Sequence, residues 1–155
     1  MKKPKIFLGT DHAGFELKEE IKKYLGNLGY EVEDRGAFSY DAEDDYPDFI
    51  SAAAEKVALT PGSRGIIFGG SGQGEAICAN KAKGIRAAVF YGSNPEIVNL
   101  SRTHNDANIL SIGARFVSKE EAEAAVKLWL ETEFSNQSRH KRRIKKISEI
   151  ENRHK

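Results

Sequence analysis

Five times along this chain a short apolar or alternating run gives way to a segment with helical spacing. Residues 5–9, 30–34, 65–68, 85–91 and 108–112 read as strands. Between and after them lie residues 15–28, with Leu17, Ile21, Tyr24, Leu25 and Leu28 at i, i+3 and i+4 spacing, then a helix from Tyr46 through Leu59, one over residues 75–82, one over 95–104 and one from Ser118 to about Glu133. Gly29 and Pro61-Gly62 punctuate the breaks, Pro95 suits a first helical turn, and Ser118-Lys119-Glu120-Glu121 has the form of a capping box. Strands that alternate with helices form parallel βαβ units, so the pattern predicts a three-layer α/β domain built on a five-stranded parallel sheet. A last helix, starting near Arg139, follows the repeating pattern.

The 155 residues suit one domain spanning the whole sequence, with residues 137–155 as a C-terminal helical arm. No apolar stretch approaches the roughly 20 residues of a membrane span, and the N-terminus lacks a signal-peptide pattern. The single cysteine, Cys78, excludes an internal disulfide and fits a reducing, cytoplasmic setting; its place on a helix suggests a small buried filler. A net charge of +1 gives no overall field towards nucleic acid or membrane.

In α/β folds of this kind ligands bind at the carboxyl ends of the strands. The residues placed there by the strand assignments are Thr10-Asp11-His12 after the first strand, Gly69-Gly70-Ser71-Gly72-Gln73-Gly74-Glu75 after the third, and Gly113-Ala114-Arg115 after the fifth; Thr103-His104-Asn105-Asp106, at the end of the fourth helix, is grouped with them. A bare turn seldom needs three glycines and a serine. A dinucleotide fingerprint would need G-x-G-x-x-G spacing and an acidic residue after the next strand, and a Walker-type loop a Lys-Ser/Thr pair; neither is present. Backbone N–H groups at a helix start, beside a carboxylate, suit a different task. The amides stabilise a developing oxyanion while the carboxylate takes a proton from the carbon next to a carbonyl. The substrate that fits is a sugar in its open-chain carbonyl form.

Asp11-His12 and His104-Asn105 are weak signals singly, since such residues commonly close loops and helices. The four histidines are scattered without metal-ligand spacing, so no metal is expected. The run Arg139-His140-Lys141-Arg142-Arg143-Ile144-Lys145-Lys146 allows two readings. It suits a nucleic-acid-binding or solvated tail, but Arg139 and Arg143 also stand four apart on one helical face, spaced for two guanidinium forks on one phosphate. Ile144, Ile147 and Ile150 form an apolar stripe, for which a symmetry mate is a plausible cover.

Together these motifs resemble the type B ribose-5-phosphate isomerases, a family that includes allose- and galactose-6-phosphate isomerases. The likeness also rests on Asp45-Tyr46-Pro47, Ala79-Asn80-Lys81, Gly84-Ile85-Arg86-Ala87 and His104-Asn105-Asp106-Ala107-Asn108. Part of that family uses a cysteine as base where this chain has Gly69; the other branch uses a glutamate at the position of Glu75. The resemblance implies a Rossmann-like fold, a homodimer, often paired into tetramers, with active sites shared between subunits, and no metal or nucleotide cofactor. It implies Glu75 as base, His104 and Asp11 as the groups that open the furanose ring, and Ser71 with Gly70, Gly72 and Gly74 around the enediolate oxygen. Asn105 and Tyr46 would orient hydroxyls; His12, Arg115, Arg139 and Arg143 would hold the phosphate. The expected reaction is interconversion of ribose 5-phosphate and ribulose 5-phosphate. A six-carbon sugar phosphate, a non-catalytic sugar-phosphate-binding role and a nucleic-acid-binding tail are the alternatives.

Overall fold

In the computed structural model, which describes residues 2–154, the strands are β1 Ile6–Thr10, β2 Val32–Asp34, β3 Arg64–Gly69, β4 Ala87–Phe90 and β5 Ile109–Gly113. The helices are α1 Phe15–Asn27, α2 Tyr46–Leu59, α3 Gln73–Ala79, α4 Glu96–Thr103, α5 Lys119–Glu131 and α6 Ser138–Arg153. The sheet order is β2-β1-β3-β5-β4 and every pair is parallel.

The period of two along each strand divides the core. Ile6, Leu8, Ile66, Phe68, Leu110 and Ile112 face one side and pack with Ile21 and Leu25 of α1, Val98 of α4 and Val126 and Trp129 of α5. Phe7, Ile67 and Ile109 face the other and pack with Ile50, Ala53, Ala54 and Val57 of α2 and Ala79 of α3. The central strands are covered on both faces, as a parallel sheet requires. Ser118 and Glu121 form the expected capping box on α5.

Two boundaries and the surroundings of one side chain differ from the sequence expectation. Helix α3 starts at Gln73 rather than Glu75, because Gly72 at φ 80° caps it in the left-handed region that glycine tolerates. Strand β4 is shorter than residues 85–91, since Ile85 closes a turn on Ala82 before pairing begins. Cys78 packs against the core on the α2 side but is only half-buried, since it also lines an open groove between α2 and α3.

Two features position the site. From β1 the chain moves to β2 at one side, and from β3 it moves towards β4 at the other, so the carboxyl ends of β1 and β3 flank a topological switch point. Each connecting helix also returns the chain to the amino edge of the sheet, so the end of α4 lies near the start of β5. Helix α6 leaves this body with only His140 buried; Ile147 and Ile150 on its stripe are exposed. No helix among the described residues is long and apolar enough to cross a membrane.

Candidate active site

A cavity of about 570 Å3 opens at the switch point, lined by Asp11, His12, Ala13, Tyr46, Gly70, Ser71, Gly74, Glu75, Arg115 and Phe116. Eight of the thirteen sequence-selected residues line it, Glu75 among them, and each arrives there for a local reason. Asp11 ends β1 and caps a short 3-10 turn, its Oδ1 accepting the N–H of Ala13 at 3.0 Å. It is 7% exposed. Ser71 Oγ accepts the N–H of Gln73 at 3.2 Å, and Ser111 Oγ donates to the Gly72 carbonyl at 2.7 Å, which ties the glycine loop to β5.

Glu75 lies in the first turn of α3 and is 4% exposed. A Cβ added to Gly69 would fall inside its carboxyl group, so the base candidate lies directly over the end of β3. Burial pushes the Glu75 carboxyl up; its own backbone N–H pulls it down, the charge of Asp11 pushes it up again, and the N–H of Gly72 lowers it. Tyr46, at the start of α2, covers the same loop: a Cβ on Gly74 would meet its hydroxyl at 2.7 Å. Arg115, in the turn after β5, spreads over Gly70, where a Cβ would lie 3.0 Å from Nη1.

Four sequence-selected residues are elsewhere. His104 and Asn105, grouped above with the carboxyl-edge residues, stand at the amino edge, because α4 runs back across the sheet before β5 begins. Asn108 marks that edge: its carbonyl accepts from Gly65 at the start of β3 and its side chain from the N–H of Arg86, next to the start of β4. Five strand residues at about 3.3 Å each put roughly 16 Å of sheet between the two edges. The rest of the His104 motif is structural. Arg86 and Arg102 both pair with Asp106, and Arg86 also donates to the Asn105 and Asp106 carbonyls, which leaves His104 and Asn105 projecting into solvent.

Arg139 and Arg143 are exposed at the same edge, on the first turns of α6. The link is a ring stack: His140 lies against His104 with centroids 4.2 Å apart, and Ser135 Oγ is 2.8 Å from His140 Nδ1. The sequence-selected residues of one chain therefore fall into two separate groups, the cavity group at the carboxyl edge and the His104, Asn105, Arg139 and Arg143 group at the amino edge.

Sequence reasoning missed Asp44 and Phe116. Asp44 contacts His12, and Phe116 lines the cavity with its ring against Tyr91. Asp44 stands in a run of acidic residues that nothing in the pattern tells apart; Phe116, one residue past Arg115, was within reach of the same strand-end reasoning.

The model of the family described as Ribose/Galactose Isomerase matches residues 6–147. The ribose-5-phosphate isomerase B of Mycolicibacterium paratuberculosis is 46% identical over 150 residues, covering 97% of this chain and 93% of that protein. That of Escherichia coli is 43% identical over 149 residues, covering 96% and 97%. Among solved structures, ribose-5-phosphate isomerase B from Clostridium thermocellum superposes with a TM-score of 0.92 at 45% identity, covering 97% of this chain and 99% of that one. The Mycoplasma genitalium enzyme, solved with bound ribulose-5-phosphate, gives 0.90 at 37% identity and covers 96% of each.

Proposed function

We propose that this chain, which belongs to the ribose/galactose isomerase family, interconverts D-ribose 5-phosphate and D-ribulose 5-phosphate through an enediolate with Glu75 as the base. The observation that carries this reading is the Glu75 carboxyl, buried beside the amide-rich loop and facing an open cavity at the switch point. A carboxyl raised by burial is a stronger base once ionised, and the loop offers fixed N–H donors where negative charge develops.

Ring opening removes a proton from the anomeric hydroxyl and delivers one to the ring oxygen, tasks for Asp11 and His104. Glu75 then takes the proton from C2. The electrons move to O1, held by Ser71 and the N–H groups of residues 70–74. After the O2 proton passes to O1, Glu75 returns its proton to C1, and the ketose results. Tyr46 and Asn105 orient hydroxyls, while His12, Arg115, Arg139 and Arg143 hold the phosphate. None of these steps needs a metal or nucleotide.

His104, Asn105, Arg139 and Arg143 reach this cavity from a second copy. The opposite-edge placement supports this reading, since a two-fold axis would join the carboxyl-edge group of each copy to the amino-edge group of the other and complete two identical sites. The exposed Ile147 and Ile150 of the α6 stripe support the same homodimer. The test is direct isomerase turnover of ribose 5-phosphate, with Glu75→Gln as the base-deleted reference and a chelator arm. Near-normal turnover in that variant removes Glu75 from the role. Relative kcat/KM for ribose 5-phosphate, allose 6-phosphate and galactose 6-phosphate decides the chain length of the sugar.

A further inference from the structure

The loop that precedes α2 sends one carboxylate inward. Asp44 Oδ1 accepts the backbone N–H of His12 at 3.0 Å and lies 2.7 Å from its Nδ1. The Asp44 side chain is 8% exposed, and its Oδ2 has no hydrogen-bond partner among the described residues. The ring of Tyr40 stands edge-on to the imidazole, with centroids 6.2 Å apart and planes at 87°. An ionised carboxylate only accepts, so Nδ1 must carry the proton it shares with Asp44. Nε2 is then the ring nitrogen left for the cavity that His12 lines.

We propose that Asp44 is a positioning residue for substrate binding: it fixes the direction of the His12 ring and favours its charged form, so that Nε2 meets the substrate's phosphate as a cationic donor. The inference rests on reading His12 as a phosphate ligand. Neutral imidazole with Nδ1–H would present a bare lone pair at Nε2, which repels phosphate oxygen; only the imidazolium offers N–H there. The charged form also gives the partnerless Oδ2 a compensating charge close by, where an orphaned buried oxygen would otherwise be costly.

The charges around the ring agree. The Asp44 hydrogen bond is the largest influence and raises the His12 pKa, partial burial lowers it, Asp11 raises it, and Arg115 lowers it; the net direction is upward. Asp44 comes from the loop, Asp11 from the adjoining turn, Arg115 from the turn after β5, and Tyr40 adds only its ring edge. Asp11, His12 and Asp44 also offer donor atoms within 4.8 Å of one another, a spacing a divalent cation could use. The backbone N–H and Nδ1 already engaged by Asp44 Oδ1 favour the hydrogen-bonded arrangement.

The test follows the His12 imidazole by NMR titration and measures KM and kcat for ribose 5-phosphate against pH, at fixed ionic strength, in the full-length protein and in Asp44→Asn, His12→Gln and the double variant. In Asp44→Asn, His12 should titrate at lower pH. KM should rise about tenfold for each unit of pKa lost, at pH values above the parent's midpoint, with kcat changed less than threefold. The double variant should be no worse than His12→Gln alone, and Asp44→Glu should recover part of the loss. If Asp44→Asn does not fold, Asp44→Ser keeps an acceptor for the His12 N–H and gives the same readouts. An unchanged titration and KM in the Asp44 variant, or an equal KM penalty in the His12→Gln background, overturns the proposal. So does a wild-type KM that needs added zinc and is lost with a chelator. A wild-type KM in His12→Gln removes the phosphate role of His12 and Asp44's with it, whereas a raised KM there beside a normal Asp44→Asn removes Asp44 alone.

Discussion

The carboxyl group of Glu75 occupies the space in which a side chain on Gly69 would begin. The two positions therefore compete for one volume at the end of β3. This gives a steric reason why a family using either a cysteine at the Gly69 position or a glutamate at the Glu75 position would not use both. Gly69→Ala should displace the carboxyl and lower kcat towards the level of Glu75→Gln. Gly69→Cys should be worse in the presence of Glu75 than with Glu75→Ala beside it. Steady-state kinetics on the three variants checks the pair, and full activity in Gly69→Ala would show that the carboxyl can work from elsewhere.

Removing the base has opposite consequences for rate and stability. Glu75→Gln should reduce kcat by roughly 10²–10⁴, the usual reach of a general base. The folded-state pKa of Glu75 is raised, so the folded chain binds this proton more tightly than the unfolded chain. Stability is then lost as pH rises from the ordinary glutamate range through the raised value, and the loss persists at neutral pH. The glutamine variant lacks that loss. Its Tm at pH 7 should equal or exceed that of the parent, with the gap closing below about pH 4, near the ordinary glutamate pKa. A Tm that falls at every pH would mean that the ionised carboxylate is a structural element.

Mixing two inactive variants tests the shared site. If Glu75 comes from one copy and His104 from the other, a hybrid of Glu75→Gln and His104→Ala subunits carries both lesions in one site and none in the second. Random exchange would return about a quarter of parental activity, since half the dimers are hybrids and each has one intact site of two. Activity would be followed after mixing under conditions that allow subunit exchange. No recovery, despite demonstrated exchange, would place both residues in the same half.

Much of this was legible in the chain. Alternation of strand and helix patterns gave the parallel sheet, and the glycine loop with its carboxylate pointed to oxyanion chemistry, because both signals are local. Adjacency to a strand was a poorer guide. His104 and Arg115 both lie within a few residues of β5, yet the two stand at opposite edges, because one precedes the strand and the other follows it. Asp44 could not be singled out among Asp41, Glu43, Asp44, Asp45 and Asp48, since its contact with His12 depends on how the chain folds over a sequence separation of 32. The Asp106 and Asn108 side chains looked like part of a reactive motif, but their partners Arg86, Arg102 and Gly84 make them clamps on a turn.

The arginines of α6 give the last test. Arg139 and Arg143 are exposed on the single chain, where among the described residues the Arg139 side chain donates to Gln137 at the helix start. Among the described residues neither pairs with a carboxylate, which would leave both forks available to an anion in a partner's cavity. Replacing either with Ala should remove charge-assisted hydrogen bonds and cost about 1.5–3 kcal/mol of binding. The phosphate is remote from C1 and C2, so most of that loss should appear in KM, with kcat falling only as far as phosphate binding positions the reacting carbons. Lysine should rescue in part, because an ammonium keeps the charge but loses the fork. Lys145 and Lys146, further along the helix, should tolerate Ala with little change. KM for ribose 5-phosphate at fixed ionic strength separates the cases: large effects at 139 and 143 alone mark a clamp, whereas equal small effects along the whole basic run would mean a diffuse field and remove both arginines from the phosphate site.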